Sequence, residues 1–298
     1  MINLIRILLV AFTGFFSFNF FKDYSKAKTN NELEEVSKGK GIVTGFITDF
    51  FDTLGIGSFA PTVALFNTLK LNVSDRLIPG TLNVGHTIPV VCEALIFTTV
   101  IEVDPLTLFA LIAASVVGSY LGAGVISKMD ERKIQIVMGV ALAVTALIML
   151  ASQLGIFPVG GEATALTGVK LVIGIIGNFI LGALMTAGVG LYSPCMAMVY
   201  FLGMSPAVAF PIMMGSCAML MPVASTKFIK EQAYAKKTSL LVTIGGVVGV
   251  FIAAFIVKSL PIETLKWLVM AVLVYTGASM ISGASKKLGS TNTEIVMD

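Results

Sequence analysis

The sequence predicts an all-α integral membrane protein with two inverted repeats. Each repeat has a broken, re-entrant helical hairpin and three spanning helices, and one extra helix precedes the first repeat. The chain is 56% hydrophobic and 12% charged, with a mean hydropathy of +0.93, whereas soluble domains carry about 25% charged residues. Its apolar runs are about 20 residues long, the length that a spanning helix needs, and helices satisfy their own backbone hydrogen bonds in lipid.

A duplicated motif is the main evidence for repeats. Residues 53–69 align with residues 186–202, and six of the 17 aligned positions are identical. Each copy interrupts an apolar run with Gly-x-Gly and places a proline four residues after the second glycine. Duplicated interruptions of this kind mark the substrate sites of transporters that are built from two repeats.

The apolar runs predict both the spans and the division of the chain. We expect spanning helices at 2–21, 77–100, 106–127, 132–150, 207–226, 238–257 and 264–283. The units are an N-terminal helix with a cytoplasmic polar linker, repeat 1, an external linker, repeat 2 and a cytoplasmic tail: 1–40, 41–150, 151–168, 169–285 and 286–298. The first segment resembles a signal peptide only in position, because it is long and no small-x-small cleavage site follows. We also expect the polar segment 22–40 to be helical.

The two interrupted regions predict hairpins that enter the membrane and return to the same side. The arms of the first copy would be about 21 Å and 18 Å long at about 1.5 Å per residue, too short for a hydrocarbon core of about 30 Å. The second copy, 171–187 and 191–202, has a longer first arm. A single long, kinked helix is the alternative.

The charges of the loops favour hairpins over kinked helices. Lysines and arginines lie in loops 22–40, 70–76, 128–133 and 227–237 and in the tail, whereas loops 101–105, 151–168 and 203–206 have none. Hairpins place the first group in the cytoplasm and the second outside, as basic loops require. The N-terminus would then lie outside and the C-terminus inside the plasma membrane. Three crossings per repeat make the two repeats inverted, an architecture that permits alternating access.

The hairpin tips predict a site for a small anion. Their glycines allow positive φ, and Ser58 or Ser193 would cap the returning half-helix with Pro61 or Pro194 in its first turn. The exposed N–H groups of such a helix attract anions. The candidate binding residues at the tips are Thr53, Gly55, Gly57, Ser58, Pro61, Thr186, Gly188, Gly190, Tyr192, Ser193 and Pro194, with Asn178 as a further hydrogen-bonding candidate.

The paired motif, followed by Leu-x-Val/Met-Ser at 71–74 and 202–205, resembles the TauE/SafE family of sulfite exporters over about 41–283. The resemblance implies a membrane carrier for a small sulfur-containing anion such as sulfite, a sulfonate or thiosulfate, or for a related organic acid. It also implies binding residues early in the helix after each hairpin. The nearest matches here are Thr81, Asn83 and Ser216.

Ionisable residues within the apolar runs are candidates for proton coupling. Asp52 immediately precedes the first tip, and Asp49 lies on the same helix face. His86 and Glu93 are seven residues apart and share a face of the next helix. We hypothesise that Asp52, His86 or Glu93 carries a proton with the anion, the alternative being that they pair structurally.

Other functions have weaker support in the sequence. The single histidine excludes a multi-histidine metal site, and the three cysteines, Cys92, Cys195 and Cys217, have no metal-ligand or redox spacing, so we expect them to be small buried side chains. We expect no cofactor, no metal, no catalytic site and no nucleic-acid partner. An anion channel and a membrane assembly factor without transport activity remain alternatives to a transporter.

Overall fold

The computed structural model describes residues 2–54, 57–97, 103–156 and 160–256, together with residues 274, 278 and 281. Its helices are α1 (Ile2–Thr29), α2 (Lys38–Thr53), α3 (Phe59–Thr68), α4 (Ile78–Phe97), α5 (Pro105–Ile126), α6 (Glu131–Gln153), α7 (Gly168–Met185), α8 (Tyr192–Phe201), α9 (Pro206–Lys230) and α10 (Lys236–Ile256). One 3-10 turn, Asp75–Leu77, precedes α4.

The all-α membrane class is confirmed. Four helical segments in the described part are long and apolar enough to cross a bilayer, at 105–126, 168–185, 211–230 and 236–255. The five central predicted spans coincide with α4, α5, α6, α9 and α10 within a few residues. The predicted span 264–283 and the tail 286–298 lie outside the described residues, apart from isolated positions.

The segment that follows the first span is only partly helical, contrary to expectation. Helix α1 continues through the first polar residues to Thr29, and residues 32–37 then form irregular backbone before α2 begins. Ser37 is extended at the start of α2, with φ −65° and ψ 120°. The irregular stretch lets the chain leave α1 and enter the first hairpin from the same end of the molecule.

Helices α2 and α3 fold back on each other. The Lys40 ammonium group, at the start of α2, donates a hydrogen bond of 2.7 Å to the carbonyl of Leu69, at the end of α3. In one continuous helix these residues would be about 44 Å apart at about 1.5 Å per residue. The first broken region is therefore a hairpin and not a kinked helix.

Helices α7 and α8 form a second hairpin. A Cβ atom at Gly203, just after α8, would lie 3.5 Å from the Lys170 ammonium nitrogen at the start of α7. A Cβ atom at Gly174 would lie 3.4 Å from the Leu202 side chain. Although α7 has 18 residues and is long enough by itself to cross a bilayer, α8 returns along it to the end at which α7 begins.

The loops without Lys or Arg meet at one end of the molecule. The Asp104 amide donates to the Thr164 carbonyl at 3.0 Å, and the Ser205 amide donates to the Ala163 carbonyl at 2.9 Å. The second hairpin opens at this end, where Lys170 also lies. The three segments that the charge pattern assigns to one side of the membrane are therefore neighbours in the fold.

The basic loops meet at the opposite end. The Asp23 carboxylate at the end of α1 pairs with Lys236 at 2.8 Å, and Glu34 accepts a hydrogen bond of 2.7 Å from the Thr238 amide. The segment after α1 is thus docked onto the start of α10. The first hairpin opens here, since Gly41 in α2 packs against Leu241 in α10, so the two hairpins open at opposite ends.

Matching contacts link the arms of each hairpin to the other half of the chain. An added Cβ at Gly249 in α10 would collide with the Phe46 carbonyl in α2, and one at Gly118 in α5 would collide with the Phe179 carbonyl in α7. Gly118 and Gly249 are 131 residues apart and Phe46 and Phe179 are 133 apart, which are the offsets of the repeated sequence. These equivalent contacts support the two-repeat interpretation.

Both tips lie near mid-depth of the helices they pack on. Near the first tip, Asp49 faces Gly246, the middle of α10, and near the second tip Gly182 faces Ser115, the middle of α5. The broken helices therefore end in the interior of the helical bundle and not at its surface.

Replacing Gly249 with alanine is expected to destabilise the fold. The new methyl group would meet the Phe46 carbonyl and lie 3.1 Å from the Phe50 nitrogen, and overpacking of this kind costs about 1–3 kcal/mol. Thermal unfolding in detergent measures the effect. Gly14→Ala is the control, because a Cβ there meets nothing within 4 Å; equal unfolding temperatures for the two variants would contradict the close approach.

The contact between α1 and α10 predicts a pH-dependent stability. Partial burial acts to raise the pKa of the Asp23 carboxyl. Hydrogen bonds from Lys236, Tyr234 and Gln232 outweigh burial, so this pKa lies below its usual value of 3.8. A depressed folded-state pKa stabilises the fold above the unfolded value, and the stabilisation is lost as the pH falls through the folded-state pKa.

Asp23→Asn should therefore lower the free energy of unfolding at neutral pH by about 1–3 kcal/mol. Its deficit relative to the wild type should shrink as the pH falls below 3.8. Asp130→Asn serves as the control, because Asp130 pairs with Lys133 in solvent. A deficit that persists unchanged at the lowest pH would show that the charge of Asp23 is not the cause.

Candidate functional site

A cavity lies between the two hairpin tips. It holds about 440 Å³ of space free of atoms, including its open side. Both tips contribute, together with α4, α6 and α9. The lining residues are Asp52, Gly57, Ser58, Phe59, Val90, Thr145, Met185, Gly190, Leu191, Tyr192 and Cys217.

Each tip includes a glycine of positive φ among its described residues. Gly57 has φ 91° and Gly188 has φ 100°, a conformation that favours glycine because it has no Cβ. The left-handed glycine is the second of its motif in the first tip and the first in the other. Gly190 is not among the described residues with positive φ, and Gly55 lies outside the described residues.

The N-termini of α3 and α8 reach the cavity. Phe59 and Tyr192, their first residues, both line it. The first hydrogen bonds run from the Thr62 amide to the Ser58 carbonyl at 3.0 Å and from the Cys195 amide to the Leu191 carbonyl at 2.9 Å. The earlier first-turn N–H groups have no partner within their helices. Pro61 and Pro194, the third residues of these helices, have no N–H group.

The predicted serine caps are wrong. Ser58 does precede α3, but its side chain makes no cap; its hydroxyl donates instead to the Asp52 carboxylate at 2.9 Å. Ser193 is the second residue of α8, and the residue before that helix is Leu191. The Ser193 side chain lies outside the described part. Neither helix is therefore capped by the side chain of the residue that precedes it.

The predicted threonines at the tips make local bonds. The Thr53 hydroxyl donates to the Asp49 carbonyl at 2.8 Å, and the Thr186 hydroxyl donates to the Ala183 carbonyl at 2.6 Å. Neither residue lines the cavity. Their short side chains turn back onto the preceding helix, so each stabilises the end of an arm.

The residues implied after the hairpins also lie away from the cavity lining. Thr81 accepts a hydrogen bond of 2.9 Å from the Ala235 amide at the basic end, and Asn83 donates to the Pro79 carbonyl at 2.8 Å. Ser216 accepts a hydrogen bond of 2.8 Å from Asn178. These side chains join helices to each other or to their own backbone.

A buried Asp–His pair lies beside the cavity. The Nδ1 atom of His86 lies 2.8 Å and 2.9 Å from the two carboxylate oxygens of Asp49, and its Nε2 atom lies 2.9 Å from the Thr62 hydroxyl. All three residues have 0% exposure. The sequence marks His86 as a candidate but does not predict Asp49 as its partner. The spacing of Asp49 and Asp52 on one face of α2 was the available signal.

Glu93 contacts Tyr192, which lines the cavity. The Tyr192 hydroxyl donates to its Oε1 atom at 3.4 Å, and its Oε2 atom is buried without a hydrogen-bond partner. Val90, which lines the cavity, lies between His86 and Glu93 on α4. The face of α4 that the sequence identified therefore borders the site.

The electrostatics of the site combine backbone donors with acids. Asp52 lines the cavity, Asp49 and Glu93 lie behind its wall, and His86 is the basic side chain among them. The lining formed by described residues includes no lysine or arginine. An anion can be bound here by the helix N-termini, but ionised carboxylates oppose its entry.

Six lining residues were not expected from sequence: Phe59, Val90, Thr145, Met185, Leu191 and Cys217. Thr145 comes from α6, Met185 ends α7, and Cys217 comes from α9. Cys195 and Cys217 are buried, as expected of small apolar side chains, but Cys217 also borders the cavity. No charged residue marks these positions in the sequence, and only the packing of the helices brings them to the site.

Comparison with known proteins gives one match. The family described as sulfite exporter TauE/SafE matches residues 2–149 of the chain, which comprise α1 and nearly all of the first repeat. The matched part includes the first tip, Asp49 and the face of α4 that carries His86 and Glu93. No curated protein and no solved structure matches the chain.

A double-mutant cycle tests the role found for Ser58. Because Ser58 donates to Asp52, Ser58→Ala and Asp52→Ala should be coupled by about 1 kcal/mol or more in the free energy of unfolding. A capping serine would instead lose the same stability whether or not Asp52 is present. Thermal unfolding of the four proteins in detergent gives the coupling, and strict additivity would restore the capping role.

Proposed function

We propose that this chain, whose residues 2–149 match the sulfite exporter TauE/SafE family, moves a small sulfur-containing anion such as sulfite, a sulfonate or thiosulfate through the cavity between its hairpin tips. The match to this family supports a membrane transporter. The observation that supports this site is the convergence of two helix N-termini, those of α3 and α8, on one cavity near mid-depth.

The donors at the two tips suit an anion. Each tip offers backbone N–H groups and the positive end of a helix dipole, which favour negative charge. Because they come from different halves of the chain, they approach the cavity from opposite ends. An anion bound between them is recognised by backbone groups, so the site needs no buried lysine or arginine.

The arrangement of the hairpins supports alternating access. The first hairpin opens at the Lys-rich end and the second at the end whose loops are bare, so each closes one side of the cavity. We assign the Lys-rich end to the cytoplasm of the plasma membrane, as basic loops favour. Rocking of one half against the other would then expose the cavity to each side in turn.

We further propose that protons accompany the anion. Asp52, His86 and Glu93 are the candidates, because all three are buried at the cavity or directly behind its wall. An anion that enters beside ionised carboxylates is repelled, and protonation removes this repulsion. Protonated acids and a bound anion therefore favour each other.

Transport by the purified protein tests this function. Proteoliposomes would be assayed for uptake of sulfite against sulfate, thiosulfate, acetate and a sulfonate, with and without a pH gradient. Selective flux that depends on the gradient is expected. Absence of any anion flux from folded protein would reject the proposed function, and flux that ignores the gradient would reject proton coupling.

Gly190→Leu should abolish transport without unfolding the protein. A Cβ atom at Gly190 meets nothing within 4 Å, and the residue lines the cavity, so the larger side chain would occupy the space of the anion. We expect at least about a tenfold loss of uptake, equivalent to about 1.4 kcal/mol. Gly14→Leu, at another open position, controls for added bulk; equal uptake by both variants would move the anion site elsewhere.

A further inference from the structure

We propose that Asp49 and His86 form the proton-binding site of this protein, and that Thr62 links the proton on this pair to the N-terminus of α3 at the anion cavity. The link to an anion rests on the proposed function. The proton site itself rests on the geometry around a single hydroxyl group.

The Thr62 hydroxyl has two neighbours that compete for its one proton. Its oxygen lies 2.8 Å from the Ser58 carbonyl, which can only accept, and 2.9 Å from Nε2 of His86. A hydroxyl has a single proton to donate. Both contacts are hydrogen bonds only when Nε2 carries a proton and donates it to the Thr62 oxygen.

The contacts of Nδ1 determine how many protons the Asp49–His86 pair holds. Nδ1 of His86 faces both carboxylate oxygens of Asp49, so a proton also lies between these two groups. The pair therefore holds two protons in this arrangement, one at Nε2 and one shared with Asp49. Loss of the proton at Nε2 would make this nitrogen an acceptor, and the Thr62 hydroxyl would have to turn from Ser58 towards it.

Rotation of the Thr62 hydroxyl would affect the cavity through Ser58. Its carbonyl accepts both the amide and the hydroxyl of Thr62, which together close the first turn of α3. Its own hydroxyl donates to Asp52 at 2.9 Å, and both Ser58 and Asp52 line the cavity. The hydrogen bonds thus run from Asp49 through His86, Thr62 and Ser58 to the cavity wall.

Other titratable groups lie near the Asp49–His86 pair. The nearby titratable groups are Asp52 of α2, Glu93 of α4, Tyr192 of α8 and Cys217 of α9. Helix α3 presents Thr62 and the Phe59 ring. Helix α10 presents Gly246, whose missing side chain leaves space for the Asp49 carboxylate. His86 is thus the cation nearest to these acids when it holds two protons.

The proton site occurs in only one half of the chain. Asp49 corresponds to Gly182 and Gly246 to Ser115 at the offsets of the repeat. At the first hairpin the side chain lies on the hairpin arm and the glycine on the facing helix, whereas at the second hairpin the positions are reversed. Only the first tip therefore has a carboxylate and an imidazole behind it.

The single histidine of the chain allows a direct measurement. Nitrogen NMR of the full-length protein, labelled with ¹⁵N-histidine, reports the protonation of both ring nitrogens of His86 without assignment. We expect the spectrum to show a proton on Nε2, as the contacts of the Thr62 hydroxyl require. An Nε2 without a proton throughout the stable pH range would overturn the proposal.

Methanesulfonate, whose charge is constant near neutral pH, is the anion probe. Proton and anion affinities must change by the same factor, because coupling is reciprocal. A tenfold coupling would raise the midpoint pH of the His86 titration by about one unit. An unchanged midpoint, with methanesulfonate binding shown independently, would overturn the link between the pair and the cavity.

Two variants isolate the role of the hydroxyl. Thr62→Val should abolish the midpoint shift caused by methanesulfonate, and Thr62→Ser should restore it. Thr48→Val is the matched control, because Thr48 is equally buried but bonds only to backbone carbonyls of its own helix. A shift that persists in Thr62→Val would remove Thr62 from the link.

The outcomes separate this proposal from the proposed function. Anion flux in proteoliposomes together with an Nε2 that never carries a proton would retain the transporter and reject the Asp49–His86 site. An Nε2 that titrates as expected in a protein that moves no anion would retain the proton site and reject the transport function.

Discussion

A helix that begins inside a membrane has first-turn N–H groups that find no partner in its own backbone. Such groups are costly in hydrocarbon, and this protein places two sets of them at one cavity. The Ser58 side chain leaves α3 uncapped, and Leu191 cannot cap α8. The demand of these N–H groups for an acceptor is the constraint from which the proposed anion site follows.

The tips stay in place because each arm packs closely against the opposite half of the chain. Gly249 admits the backbone of α2 and Gly118 admits the backbone of α7, and such small residues let membrane helices approach closely. A hairpin held mainly by the other repeat moves with that repeat. Rocking of the two halves would therefore change the distance between the tips and alter the anion site during the same motion.

The sequence predicted the hairpins, their glycine breaks and the grouping of the loops, because backbone requirements and charge leave local signals. It did not predict which partner each buried polar group would choose. Ser58 bonds to Asp52 rather than capping α3, since a carboxylate buried beside it gains more from a donor than an amide does from a cap. The partner of His86 is 37 residues away, and only the packing of α2 on α4 reveals it. The partners of Thr81 and Ser216 are likewise distant in sequence, namely Ala235 and Asn178, whereas Asn83 bonds to its own helix.

Backbone donors attract an anion, while the acids around the cavity repel it. Glu93 contacts Tyr192 of the second tip, but the pairing of a carboxylate with the imidazole is found at the first tip. If both tips carried a carboxylate and an imidazole, two proton sites would compete with the same anion. With Gly182 in place of a second Asp49, the second tip is left as a donor of backbone hydrogen bonds. The first tip can then couple the charge of the site to protons through Asp49, His86 and Thr62. In the proposed mechanism, the difference between the two repeats thus separates anion recognition, which both tips share, from proton binding, which takes place at the first tip.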